Sequence, residues 1–195
     1  MVASLKKFRR DLHSVRADEI ARRYLVLNSF DGVFATLGIV AGAYFAGATN
    51  ARIILAAGLG ASTAMGISGA WGAYLTERAE RIKAIKELET ELFTSLRGST
   101  IEEASRTAVI LIALVDGLAP LITSLVCLSP IVVALLGLMP LGTAVITSVI
   151  CVLSILFTLG VFIARISDTN LVLQGVLMTF AGLVVFIFVY LLGVG

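Results

Sequence analysis

The chain has 195 residues, of which 58% are hydrophobic and only 14% charged, with a mean hydropathy of +1.02 and a formal net charge of +2. A soluble domain carries about 25% charged residues, so this chain has too little polar surface to cover a water-exposed globule. Its basic residues fall into two clusters, 1–23 and 77–106, with only Arg52 and Arg165 elsewhere. The short basic N-terminus is the sole feature that could suggest a nucleic-acid partner, and membrane topology accounts for it.

Residues 4–22 are predicted to form an amphipathic cytoplasmic helix, part of a leading segment over 1–23. Leu5, Phe8, Leu12 and Val15 recur at helical spacing with basic residues opposite. Such a helix lies on a membrane surface or packs as an ordinary cytoplasmic helix. His13, the only histidine, stands without the partners a metal site needs. The apolar run behind this segment is too long for a cleaved signal peptide.

Five apolar runs follow, each near the ~20 residues that cross a hydrocarbon core. Spans one and two cover 24–48 and 53–76, joined by Thr49, Asn50, Ala51 and Arg52. Residues 77–105 form a charged cytoplasmic extension of span two, with Gly98 as its expected stop. Thr100 and Glu103 then read as a capping box that launches the next helix. Span three covers 106–128. An apolar turn is expected between Pro130 and Pro140, over 131–139. Spans four and five cover 141–164 and 171–192, within a second membrane block over 106–195.

With the N-terminus inside, fourteen of the fifteen Lys and Arg fall on the cytoplasmic side, leaving Arg52 outside. The positive-inside rule therefore predicts a cytoplasmic N-terminus and an external C-terminus. The expected fold class is an all-α integral membrane protein of five transmembrane helices with a cytoplasmic helical extension after span two.

Span two carries Ala56, Gly60, Ala64, Ser68 and Gly72, one small residue every four; span one carries Gly38, Gly42 and Ala46. Small residues at this spacing let helices meet in lipid, so both spans are expected at interior or interface positions, and a homodimer through them is expected. Span four and the end of span five, with bulkier faces and fewer glycines, read as lipid-facing. Cys127 and Cys151 lie in apolar runs and are expected to pack as small apolar side chains.

Two carboxylates lie inside the spans, Asp31 and Asp116, each followed by glycine. A charge at membrane depth costs at least about 2.5–3.5 kcal/mol, which makes each a functional-site hypothesis. Counted at 1.5 Å per residue, both sit roughly 12–15 Å from the cytoplasmic side. Pro120, four residues after Asp116, removes the N–H that would pair with the Asp116 carbonyl. Hard cations and protons use such oxygens, and the Met65 thioether adds a soft ligand suited to late transition metals. Glu87 and Glu91 form a same-face pair on the cytoplasmic extension, either a cation-gathering cluster or a solvated face. No Walker loop, dinucleotide fingerprint, HExxH, CxxC or catalytic triad occurs, so an enzyme is not expected.

Three blocks resemble the vacuolar iron transporter family: Arg23 through Asp31-Gly32 to Ala41-Gly42; Ala64-Met65-Gly66 through Tyr74-Leu75; and Asp116-Gly117-Leu118-Ala119-Pro120-Leu121. The five-span plan with a cytoplasmic insert also matches. The resemblance, to the family's short prokaryotic members, implies a homodimer that exports Fe²⁺ from the cytoplasm in exchange for protons; the expected function is transport of Fe²⁺ or Mn²⁺, in a prokaryotic cell membrane. It maps the family's span-one Asp to Asp31 and its span-two Met to Met65. Two departures stand out. Ala57 occupies a position where the family often has Glu, and the cytoplasmic insert is one helix and a turn rather than three helices. Asp116 is then a candidate replacement carboxylate, and Glu87 with Glu91 are candidate ligands of the shortened insert. The metal is cargo, and no permanent cofactor is expected. The alternative is a non-transporting scaffold or partner-binding protein whose Asp residues only lock helices together.

Overall fold

Residues 17–193 are described by a computed structural model. The expected N-terminal amphipathic helix, for the part before Ala17, and His13 lie outside the described residues. Each apolar run is a helix: α1 Ala17–Phe45, α2 Ala51–Leu92, α3 Thr100–Leu135, α4 Leu141–Ile166 and α5 Leu171–Gly193. All five are long and apolar enough to cross a membrane, and no strand occurs among the described residues. The protein is an all-α, five-span integral membrane protein.

Local chemistry sets the helix ends, and three differ from the sequence expectation. α2 runs straight on past Thr76, as expected, but stops at Leu92 rather than Gly98. Phe93 takes a left-handed conformation with φ 49°. The Glu89 carboxylate reaches forward to accept the Leu96 N–H at 2.7 Å and the Ser95 hydroxyl at 3.3 Å. That local competition ends the helix early, and Gly98 with φ 72° serves the following turn.

The cap of α3 sits one residue before the expected pair. Ser99 Oγ accepts the Glu102 N–H at 3.3 Å, and the Glu102 carboxylate accepts the Gly98 N–H at 2.7 Å. Glu102 is also tied to Arg106 at 2.7 Å, which holds it, rather than Glu103, over the helix start. At the other end, α3 continues through Pro130, so the expected turn over 131–139 shrinks to 136–139. Pro130 removes the N–H that would meet the Val126 carbonyl, and the Ser129 hydroxyl donates to that carbonyl at 2.7 Å.

The described residues divide into two compact units, 17–25 with 66–118 and 26–65 with 119–193. The first has an alanine-rich core of Ala17, Ala73, Ala108, Ile112 and Ala113, edged by Ile20, Tyr24 and Tyr74. The second holds two clusters, one around Val40, Ile54, Leu128 and Ile131, the other around Val33, Leu37, Cys127, Val152 and Leu156. Within it α4 and α5 touch closely at Gly160, where a Cβ would stand 2.5 Å from the Gln174 carbonyl. Only 11% of the most apolar window of α5 is buried, which agrees with a lipid-facing helix.

The small residues of α2 fall in two interleaved rows. Gly58, Ser62, Gly66 and Ala73 are buried within their own units. The row singled out in the sequence, Ala56, Gly60, Ala64, Ser68 and Gly72, is exposed along its length. A Cβ added at Gly60 or Gly72 meets nothing within 4 Å. Span two is therefore not interior to a single chain. Among the described residues nothing packs on Gly60 or Gly72 of its second row, which forms a close-packing face.

Candidate metal-transport site

The two Asp-Gly pairs use the glycine for packing and the aspartate for charge. In the second unit, Gly32 faces α3: a Cβ there would stand 2.6 Å from both the Pro120 carbonyl and the Thr123 hydroxyl. The Gly32 carbonyl accepts the Thr36 hydroxyl at 2.7 Å and the Ser124 hydroxyl at 3.0 Å. This glycine is locked against its neighbour. Asp31, one residue earlier, lies about 100° round the helix. It is exposed, and no hydrogen bond or ion pair to it occurs among the described residues.

Asp116 has the opposite surroundings. In the first unit Gly117 packs on α2, where a Cβ would stand 2.6 Å from the Gly66 carbonyl and 2.7 Å from Ala70 Cβ. Asp116 is only 4% exposed. Gly69 makes its room, since a Cβ there would lie 2.9 Å from Asp116 Oδ2. The charge of Asp116 reaches Tyr24, whose hydroxyl is hydrogen-bonded to Glu77. Glu77 is itself buried and stands 4.0 Å from Arg81 Nε. Burial pulls the Arg81 guanidinium below its ordinary range, with Glu77 acting in the other direction.

A buried polar cluster of Tyr24, Glu77, Arg81 and Asp116 thus occupies the first unit. The sequence reading singled out Asp116 beside Asp31 and Met65, and did not connect it with Tyr24, Glu77 or Arg81. The i,i+4 pairing of Glu77 with Arg81 was the available signal, and it was masked by the many charges around it.

Met65, in the second unit, is half-buried beside the buried Gly66 position of α2. Glu87 and Glu91 are both exposed, and Glu87 stands 4.0 Å from Lys83. Among the described residues no group of three or more His, Cys, Asp or Glu is gathered to hold a metal ion. Cys127 and Cys151 are unbonded, the first buried and the second half-buried.

Comparison with known proteins gives the family of the chain. The sequence profile of the VIT family matches residues 22–105, which include Asp31-Gly32, Met65 and the charged part of α2. The uncharacterized protein MJ0645 of Methanocaldococcus jannaschii is 33% identical over 178 residues, covering 89% of each chain. On these grounds the chain belongs to the VIT family.

Proposed function

We propose that this protein moves Fe²⁺ or Mn²⁺ out of the cytoplasm in exchange for protons. Family membership supports membrane metal transport rather than enzymatic chemistry. The observation that carries the reading is Asp31. It is a carboxylate midway along an apolar helix, exposed on the surface of its own chain. Nothing in this chain offsets its charge among the described residues, and lipid would leave it desolvated at a cost of a few kcal/mol.

A second copy of the chain removes that difficulty. The exposed row Ala56, Gly60, Ala64, Ser68 and Gly72 offers the close-packing face that helices use to associate in lipid. In such a homodimer the partner's surface shields Asp31 from acyl chains. Asp31, Met65 and Asp116 then serve as stations for the ion in transit, with carboxylate and thioether suiting a divalent transition metal. The carboxylates also carry the returning protons. Glu87 and Glu91, exposed on the cytoplasmic extension, collect the cation before entry.

The scaffold alternative assigns Asp31 to helix locking. It is the weaker reading, because Asp31 makes no hydrogen bond that could lock a helix among the described residues, whereas its neighbour Gly32 does the packing. Metal uptake into vesicles reconstituted with the full chain, with an internal Fe²⁺ or Mn²⁺ indicator and a pH indicator, tests the proposal. Metal flux with opposing proton flux is expected. Absence of flux for both metals would remove it.

A further inference from the structure

Between the charged part of α2 and the first turns of α3 lies a cavity of about 470 Å³, entirely within the first unit. Arg78, Arg81 and Arg106 line it, together with Ser105 and one carboxylate residue, Glu102. Ile82 and Ile110 form an apolar wall, and both are substantially exposed at the protein surface. One mouth of a cationic chamber therefore opens beside apolar side chains. It lies where α2 changes from apolar to charged and α3 from charged to apolar. That is the level of a headgroup region.

Three guanidinium groups face the cavity, and among the described residues two carboxylates stand beside them. Glu102 pairs with Arg106 at 2.7 Å, and Glu77 stands 4.0 Å from Arg81. Arg78 has no ion pair among the described residues. Burial lowers the Arg81 pKa from its usual value, with Glu77 acting against that shift as the secondary influence. An anion in the chamber would stand among all three guanidinium groups. Guanidinium groups suit phosphate oxygens because their fork of N–H donors matches them.

We infer that this cavity binds the phosphate of an anionic phospholipid of the cytoplasmic leaflet, with Ile82 and Ile110 against the start of its acyl chains. Basic pockets beside transmembrane helices on the cytoplasmic face hold such headgroups. The inference rests on the cytoplasmic placement of residues 77–105 in the proposed function. It adds a lipid site to the first unit, separate in residues from Asp31 and Met65.

The test is native mass spectrometry of the full-length protein, purified from bilayers holding equal phosphatidylglycerol and phosphatidylcholine. Preferential retention of phosphatidylglycerol is expected. Arg78→Gln and Arg106→Gln should each lower that preference about fivefold, while Lys86→Gln, an exposed change outside the cavity lining, should leave it unchanged. Equal retention of the two lipids by the wild-type protein overturns the inference, whether or not any variant folds. So does a preference that survives in the folded double variant. Added inorganic phosphate is the remaining arm. If it displaces phosphatidylglycerol at millimolar concentration, the ligand is soluble phosphate and the lipid assignment falls. Retention is read without metal, so its failure and a failure of metal flux are separate results.

Discussion

Gly32 lies against Pro120 so closely that a Cβ on Gly32 would stand 2.6 Å from the Pro120 carbonyl oxygen. Backbone cannot yield as a flexible side chain can. Gly32→Ala is therefore expected to destabilise by about 1–3 kcal/mol, the usual cost of overpacking. Gly38, on the same helix, has nothing within 4 Å of a Cβ. Gly38→Ala is expected to be neutral, or stabilising by up to about 1 kcal/mol through lost backbone entropy. Thermal unfolding in detergent compares the two, and equal losses would contradict this packing.

The two aspartates differ in burial, so their substitutions separate function from stability. Asp31→Asn should lower metal flux at least about tenfold, the lower bound for losing even an indirect partner of a metal ligand, and leave the melting temperature of the protein unchanged. Asp116→Asn should reduce flux and also stability, because Asp116 is buried within a polar cluster. The scaffold alternative reverses the first outcome: Asp31→Asn would weaken the fold or dimer with no flux to lose.

The outward row of α2 predicts a clean assembly defect. Gly60→Leu places bulk where this chain has open space, so the monomer should fold and span normally. The proposed dimer should dissociate, since small residues are what permit close approach in lipid. Mass determination in detergent by light scattering reads this directly. A Gly60→Leu protein that stays dimeric would move the interface elsewhere.

The turn before α3 should respond to acid. The Gly98 N–H, then Arg106, holds the Glu102 carboxyl below the usual carboxylate range. A folded pKa below the unfolded value contributes stability that is full above the unfolded pKa and is lost as pH falls through the folded one. Hydrogen exchange at the Gly98 amide should therefore be protected above the ordinary Glu range of about 4.3 and lose protection as acid titrates Glu102 below it. Glu102→Gln should flatten that dependence. Removing the hydroxyl of the cap by Ser99→Ala should cost about 1 kcal/mol.

The spans were legible because bilayer thickness imposes a length and a composition that any apolar run reveals. The continuation of α2 beyond Thr76 was legible because no residue there breaks a helix. Its stop was not. Glu89 ends it by reaching forward to Leu96 and Ser95, a contact with no periodic signature. Pro130 looked like a boundary, but Ser129 satisfies the carbonyl that proline strands.

The two rows of α2 were hard to tell apart in sequence because both consist of small residues at helical spacing, at four- or seven-residue steps. What selects the inner row is the opposing surface. Leu128 fills the space at Gly58, and Gly117 meets Gly66. Likewise, Asp31 and Asp116 read as equivalent in sequence, since each precedes a glycine. Their neighbours make one a surface charge and the other a buried one.

Phe93 has one more consequence. It is 95% exposed and holds a left-handed backbone just past the end of α2. An aromatic side chain at an open chain reversal is an inviting cleavage point for chymotrypsin. In sealed vesicles the protease reaches only one face, so cutting at Phe93 in inside-out but not right-side-out vesicles would report the sidedness of the protein without any added tag. Cutting in the opposite preparation would invert the orientation given by the basic residues.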